Sequence, residues 1–288
     1  MIAIRNHNIK KPDPDKPINF FYYGGLGDVV LSAHALPSWI KRGYRFQVQS
    51  ENEGKDLVWA SAGAEIIPKS YIRYAFSNSP ERITSVPWVG NKLGWNLNRY
   101  PLPQIESKEI LWKEACECKL SLPIPSTDLS MFSSLVPFIA IHPRGFSSGE
   151  KKNFPHNVVQ GLTNEIVRRT HYNILFLDWE GLTNVGNNSR VHYLDKLKLL
   201  SIPELKAVLD MASCLVGCDS GILHFVRFTD CPALGLWYGT SPESLALPRP
   251  LTTHLTLHSF TKEGFGIVRG WTDNISYILE WIQKIIRN

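Results

Sequence analysis

Short apolar runs of strand length alternate with stretches of helical periodicity in two separate series along this chain of 288 residues. Strands joined through helices pair in parallel, and parallel sheets present their ligands at the carboxyl ends of the strands. The first series opens with an apolar and aromatic run over residues 18 to 23, suited to a buried strand. Gly24-Gly25-Leu26-Gly27-Asp28 comes next, and then Val29, Val30, Ala33, Leu36 and Ile40 recur at helical spacing. Pro37 is expected to kink that helix. Residues 45 to 49 and 65 to 68 read as further strands, and 56 to 62 and 110 to 119 as helices. Residues 76 to 107, rich in Pro, Asn, Trp and Gly, give no assignable pattern, and 120 to 134 read as a proline-bearing connection.

The second series starts with a strand over 138 to 142 and a glycine-, serine- and lysine-rich loop over 143 to 155. Val158, Val159, Leu162, Ile166 and Val167 then mark one helical face, and 173 to 177 the next strand. Ser201-Ile-Pro-Glu204 is a capping box: the serine caps an early amide while the glutamate reaches back. It opens a helix carrying Leu205, Val208, Leu209 and Ala212. Strands over 215 to 218 and 233 to 238 flank a tight turn, Asp219-Ser220-Gly221, and a helix over 222 to 228. A last helix starts near Asp273, with Ile275, Ile278, Leu279, Ile282, Ile285 and Ile286 on one side. The expected organisation is a polar tail (1–17), an amino-terminal domain (18–136) and a carboxy-terminal domain (137–288). The expected fold class is α/β, two Rossmann-like domains facing a cleft.

Bulk properties exclude some classes. No apolar run approaches the roughly 18 residues of a membrane span, and Met1 to Lys16 lack the apolar region of a secretory signal. Five scattered cysteines lack paired zinc-site spacing and read as reduced thiols of a cytoplasmic protein. The net charge of +5 suits anionic ligands such as nucleotide phosphates, an acidic glycolipid surface or nucleic acid. Asp13-Pro-Asp15 has the form of a metal-binding DxD, but it lies in a Lys- and Pro-rich stretch with no preceding strand and reads as linker.

Three stretches carry chemistry. Gly25 and Gly27, between a strand and a helix, allow close approach of a ligand to the backbone. A dinucleotide fingerprint is disfavoured, because Val30 stands where its third glycine belongs. Asp28 either caps the helix or serves as a general base. In His142-Pro-Arg144-Gly-Phe-Ser147-Ser-Gly-Glu-Lys-Lys152-Asn-Phe-Pro155, amides, hydroxyls, Arg144 and the lysines can hold a diphosphate, or the loop is simply a solvated basic one. In Val216-Gly-Cys-Asp219-Ser220-Gly221-Ile-Leu-His224, Ser220 and Gly221 would present a hydroxyl and amides at a helix start, and Asp219 could accept from sugar hydroxyls. His224, one turn on, is either a satisfied core histidine or a ligand.

Together these stretches resemble the heptosyltransferase family of glycosyltransferases. The resemblance lies in Gly27-Asp28 with Ala35-Leu36-Pro37 downstream, and in His142-Pro143 with Lys152-Asn-Phe154-Pro155. It continues through Glu204-Leu205, Ala212, Val216-Gly217, Asp219-Ser220-Gly221 and His224, then Cys231-Pro232 and Gly239-Thr240-Ser241-Pro242. It is good over 18 to 40 and 137 to 243. Phe154 stands where the family has Trp, Arg144 where Gly is common, and the amino-terminal half is shorter than usual. The resemblance implies a GT-B fold and an inverting transfer from a nucleotide-diphosphate sugar, with no metal and no separate cofactor. Asp28 would be the base, Lys152 would contact the donor phosphates, Ser220 and Gly221 would bind the diphosphate, and Asp219 would hold the sugar. Arg144, Ser147 and His224 complete the expected donor site. The acceptor would be a surface glycan or lipopolysaccharide-type glycolipid, reached by a cytoplasmic protein peripheral at the inner membrane. A nucleic acid base or a protein as acceptor is the alternative, as is a sugar-nucleotide-binding protein without catalysis.

Overall fold

A computed structural model describes residues 17–22, 25–50, 53–67, 108–125, 127–145, 152–197, 200–238, 242, 246–257 and 274–287. Residues 1 to 16, 68 to 107 and Ser147 therefore lie outside the described part, as do Asp13-Pro-Asp15 and Gly239-Thr240-Ser241. The chain divides into two compact units, one of residues 1–24 and 28–120, the other of 25–27 and 121–288.

In the first unit β1 (Ile18–Tyr22), β2 (Phe46–Ser50) and β3 (Glu65–Ile66) form a parallel sheet in the order β1-β2-β3. Helices α1 (Leu26–Ile40) and α2 (Glu53–Ser61) connect them, and α3 (Lys108–Glu117) comes after. Of the apolar positions expected on one face of α1, Val29, Val30, Ala33 and Leu36 are fully buried and Ile40, at the helix end, is half-buried. Leu31, Ser32, His34 and Ala35 are buried as well, so α1 is a core helix apolar nearly all round and not a surface helix with one wet face. Pro37 lies inside the assigned helix. Its carbonyl still accepts from Lys41 N at 2.9 Å.

The second unit opens with a short helix, α4 (Ser130–Ser133), inside the stretch expected to be only a connection. Just before it, Asp128 accepts from the Ser130 backbone N–H at 2.8 Å, which tightens the chain locally. Then come β4 (Phe138–His142), α5 (His156–Arg169), β5 (Asn173–Phe176), β6 (Val191–Tyr193) and α6 (Leu194–Leu197). After them stand α7 (Ile202–Met211), β7 (Cys214–Cys218) and α8 (Gly221–Phe225) with a 3-10 turn over Val226–Phe228. β8 (Ala233–Trp237), β9 (Thr252–Thr256) and α9 (Asn274–Arg287) complete the unit. All pairings are parallel, in the order β6-β5-β4-β7-β8-β9.

The central strands β4, β7 and β8 are buried at every residue, as continuous apolar runs in a two-sided sheet must be. α9 adds Ile278, Leu279, Trp281 and Ile282 to the core, and Gly161 of α5 lets it close in: a Cβ there would stand 3.1 Å from Ile275 Cδ1. No described helix is long and apolar enough to cross a membrane. The architecture is α/β with two parallel sheets, as expected.

The capping box at α7 forms, and its glutamate does more than cap. Glu204 is buried; it accepts from Ser201 N at 2.7 Å and from Thr127 Oγ1 at 2.5 Å. The reciprocal bond, Glu204 N to Ser201 Oγ, is long at 3.5 Å. Glu204→Ala should therefore destabilise by about 2 kcal/mol, through the loss of two hydrogen bonds to a buried carboxylate, while the donors on the exposed residues Ser201 and Thr127 turn to water. Ser201→Ala should cost about 1 kcal/mol or less. Urea melts of the two variants check the order, and an equal loss would contradict it.

Candidate functional site

The strand order of the second unit creates a site before any side chain is considered. Numbering its strands by appearance gives 3-2-1-4-5-6, so connections leave in opposite directions on either side of the β4–β7 pair. At such a switch point the segments beyond the carboxyl ends part and leave a crevice. The pairing of His142 with Gly217 brings the two strand ends level. Pro143-Arg144-Gly145 leaves the end of β4, and Asp219-Ser220 leaves the end of β7.

The loop after β4 is tied at its base. Gly145 N donates to Asn153 Oδ1 at 2.9 Å, and Phe154 N to Pro143 O at 2.8 Å. These bonds bring the residue before Asn153 towards β7, where Lys152 Nζ lies 2.5 Å from Asp219 Oδ2. Both side chains are largely withdrawn from water, 15% and 4% exposed. The other oxygen of Asp219 lies 3.6 Å from His224 Nε2. His224 is itself buried and edge-on to the Trp237 ring, whose Nε1 donates to His254 Nδ1 at 2.9 Å.

A Cβ on Gly145 would lie 3.2 Å from Ser220 Cβ, so the glycine gives the two loops their close approach. Ser220 is the N-cap residue of α8 but makes no side-chain cap, and its buried Oγ has no hydrogen bond of good geometry. Burial pushes the neighbouring Cys218 thiol up to about 12, with the Ser220 hydroxyl acting the other way. The helix expected over 222 to 228 is present from Gly221, as five α-helical residues that tighten into a 3-10 turn over Val226–Phe228. Its macrodipole is correspondingly small, and any anion there must rely on individual donors. Within this unit residues 25–27 pack on that turn: a Cβ on Gly221 would stand 2.9 Å from Leu26 Cβ, and one on Gly27 2.7 Å from His224 Cδ2.

Beside this cluster an open cavity of about 270 Å³, counted out to solvent, is lined by His142, Arg144, Gly145, Asn153, Asp178, Trp179 and Glu180. Arg144 Nε is buried without a hydrogen-bond partner. Asp178 accepts from Thr183 N and Glu180 N at 2.7 and 3.1 Å, and these bonds shape the turn that carries Trp179.

Arg144, Lys152, Asp219, Ser220, Gly221 and His224 thus gather in one unit, with Gly25 exposed and Gly27 buried at its edge. Asp28 belongs to the first unit, half-buried in the first turn of α1. Asp178, Trp179 and Glu180 are not among the residues that sequence reasoning singles out. A signal for them exists: Leu177-Asp-Trp-Glu comes directly after a strand that pairs with β4, at the end where ligands bind.

No protein-family model matches the sequence, and no curated protein matches it. Solved structures do match in fold. The glycosyl transferase family 9 protein of Veillonella parvula DSM 2008 superposes with a TM-score of 0.63 at 13% identity, over 98% of this chain and 100% of its own. E. coli ADP-heptose LPS heptosyltransferase II gives 0.59 at 14%, over 93% and 99%. E. coli heptosyltransferase WaaC with ADP gives 0.55 at 14%, over 94% and 100%. The likeness at these identities is one of fold, the GT-B type that the motifs imply, shared over nearly the whole length.

His142 closes β4 and fixes the start of the loop. Its Nδ1 pairs with Leu177 O at 2.6 Å, and burial pulls its pKa down to about 4. The unfolded value is about 6.5, so the folded state disfavours the proton. The stability involved is present above pH 6.5 and is lost as pH falls from there towards 4. His142→Gln should remove about 2–3 kcal/mol of the drop in stability between pH 7 and 4.5. Urea melts of wild type and variant at both pH values measure this; parallel losses would contradict it.

Proposed function

We propose that this chain is a glycosyltransferase whose second unit binds a nucleotide-diphosphate sugar at the β4–β7 switch point. The observation that carries this is the juxtaposition there of Lys152 and Asp219, 2.5 Å apart, with the partnerless hydroxyl of Ser220. Two phosphates need a cation, hydroxyl and amide donors and close backbone approach, and Lys152, Ser220, Gly221 and Gly145 supply these. Arg144 adds a second cation, and Ser147 a further hydroxyl from the same loop. Trp179 and the adjoining cavity would take the nucleoside, adenosine being favoured because two of the proteins sharing the fold carry ADP or ADP-heptose in their names.

The reaction proposed is a single displacement with inversion. Asp28 takes the proton of the acceptor hydroxyl as its oxygen bonds to the anomeric carbon. The bond from that carbon to the diphosphate breaks, and the electron pair leaves with the diphosphate, whose growing charge Lys152 offsets. A heptose-like sugar and a surface-glycan or glycolipid acceptor fit the sequence resemblance, and would bring a cytoplasmic enzyme to the inner membrane face.

Thermal shifts with ADP, UDP, GDP and CMP test the donor site, since a ligand at 100 times its Kd stabilises by about 2.7 kcal/mol. A panel without any shift would remove the proposal. Asp28→Asn should leave nucleotide affinity within about twofold and lower turnover by about 10²-fold or more. Near-normal turnover would leave Asp28 a helix-start residue only. Turnover should also survive EDTA, because side-chain cations would do the work of a metal; a loss restored by added divalent metal would refute that part.

A further inference from the structure

We propose that Asp219 acts through Lys152, the two forming one neutral unit beside the diphosphate: the carboxylate aims the ammonium, and the ammonium cancels a charge that would repel phosphate. The proposal rests on the donor site above and gives Asp219 a positioning role in place of direct contact with the sugar. Lys152 comes from the turn before α5 and Asp219 from the end of β7, so their 2.5 Å contact spans the two sides of the switch point. With both groups so little exposed, the attraction is weakly screened. The second oxygen, Oδ1, faces His224, a ring set by Trp237, at a distance too long for a hydrogen bond. A carboxylate 4% exposed and flanked in this way offers sugar hydroxyls little access.

Its position raises a further difficulty. Asp219 is adjacent in sequence to Ser220, whose buried hydroxyl makes no hydrogen bond of good geometry. A lone carboxylate there would oppose any phosphate that Ser220 accepts. The lysine makes the carboxylate tolerable, and the carboxylate brings the lysine to the phosphate side. Neither residue makes sense at this site without the other.

The consequence is that removing the carboxylate should rescue removal of the lysine. ADP affinity is measured by calorimetry for the full chain, Lys152→Ala, Asp219→Asn and the double variant. Acetylation of Lys152 by N-acetoxysuccinimide is followed in the wild type and Asp219→Asn without nucleotide. The double variant should bind ADP about tenfold more tightly than Lys152→Ala, because the uncompensated repulsion is gone. Lys152 should acetylate at least about fivefold faster in Asp219→Asn, because the carboxylate that holds its proton in place is gone. An Asp219 too far from the phosphates to matter to them predicts equal ADP affinity for Lys152→Ala and the double variant. That equality would overturn the proposal, as would an unchanged acetylation rate. A wild type that binds no nucleotide defeats the proposed function separately, and the acetylation rates then decide whether the pair acts as a unit. If Asp219→Asn does not fold, Asp219→Ser takes its place with the same expectations.

Discussion

The whole site depends on the reversal of direction in the second sheet between β4 and β7. Parallel strands need crossovers, and crossovers of one hand can advance along a sheet in only one direction from a given face. A chain that builds β4-β5-β6 one way must return to the other side of β4 to continue with β7, β8 and β9. The loops after β4 and β7 then diverge at one point, and there Gly145 and Ser220, 75 positions apart in sequence, pack backbone against side chain. Everything proposed about phosphate binding depends on that divergence.

Given the crevice, the sequence has to solve an electrostatic problem inside it. Removing Lys152 and Asp219 from water is unfavourable, and their mutual attraction repays it only if the geometry is tight. The bond from Gly145 N to Asn153 Oδ1 supplies part of that geometry by closing the loop around the lysine. His142 shows the opposite solution: buried at the strand end, it stays neutral and spends its Nδ1 on a backbone carbonyl.

Much of this was legible in sequence because it is local. Strand-length apolar runs gave β4, β7 and β8, helical periodicity gave α5, α7 and α9, and Ser201 with Glu204 gave a cap. The elements missed are those whose pattern is weak for physical reasons. β6 has three residues, and β9, the last strand of the sheet among the described residues, reads Thr-Thr-His-Leu-Thr and is only half-buried, so it carries no apolar run. The Thr127–Glu204 bond and the Lys152–Asp219 pair join residues 77 and 67 apart, and no periodicity carries such information. The residue types at the site could be read, but not which of them neutralise one another.

That distinction changes how the site should be understood. A helix start is often credited with holding phosphate through its dipole, and Ser220-Gly221 has that appearance in sequence. α8 is only five residues long before it tightens into a 3-10 turn, so aligned peptide dipoles are few. On the proposed function, the charge that meets a diphosphate would then come chiefly from side chains. Of the cations at the crevice among the described residues, Lys152 is already engaged by Asp219, while Arg144 keeps a buried nitrogen without a partner. The Lys152–Asp219 pair itself carries no net charge. On the proposed function the site would select its ligand by where donors are placed more than by net attraction, as suits a site that both binds and releases a leaving group.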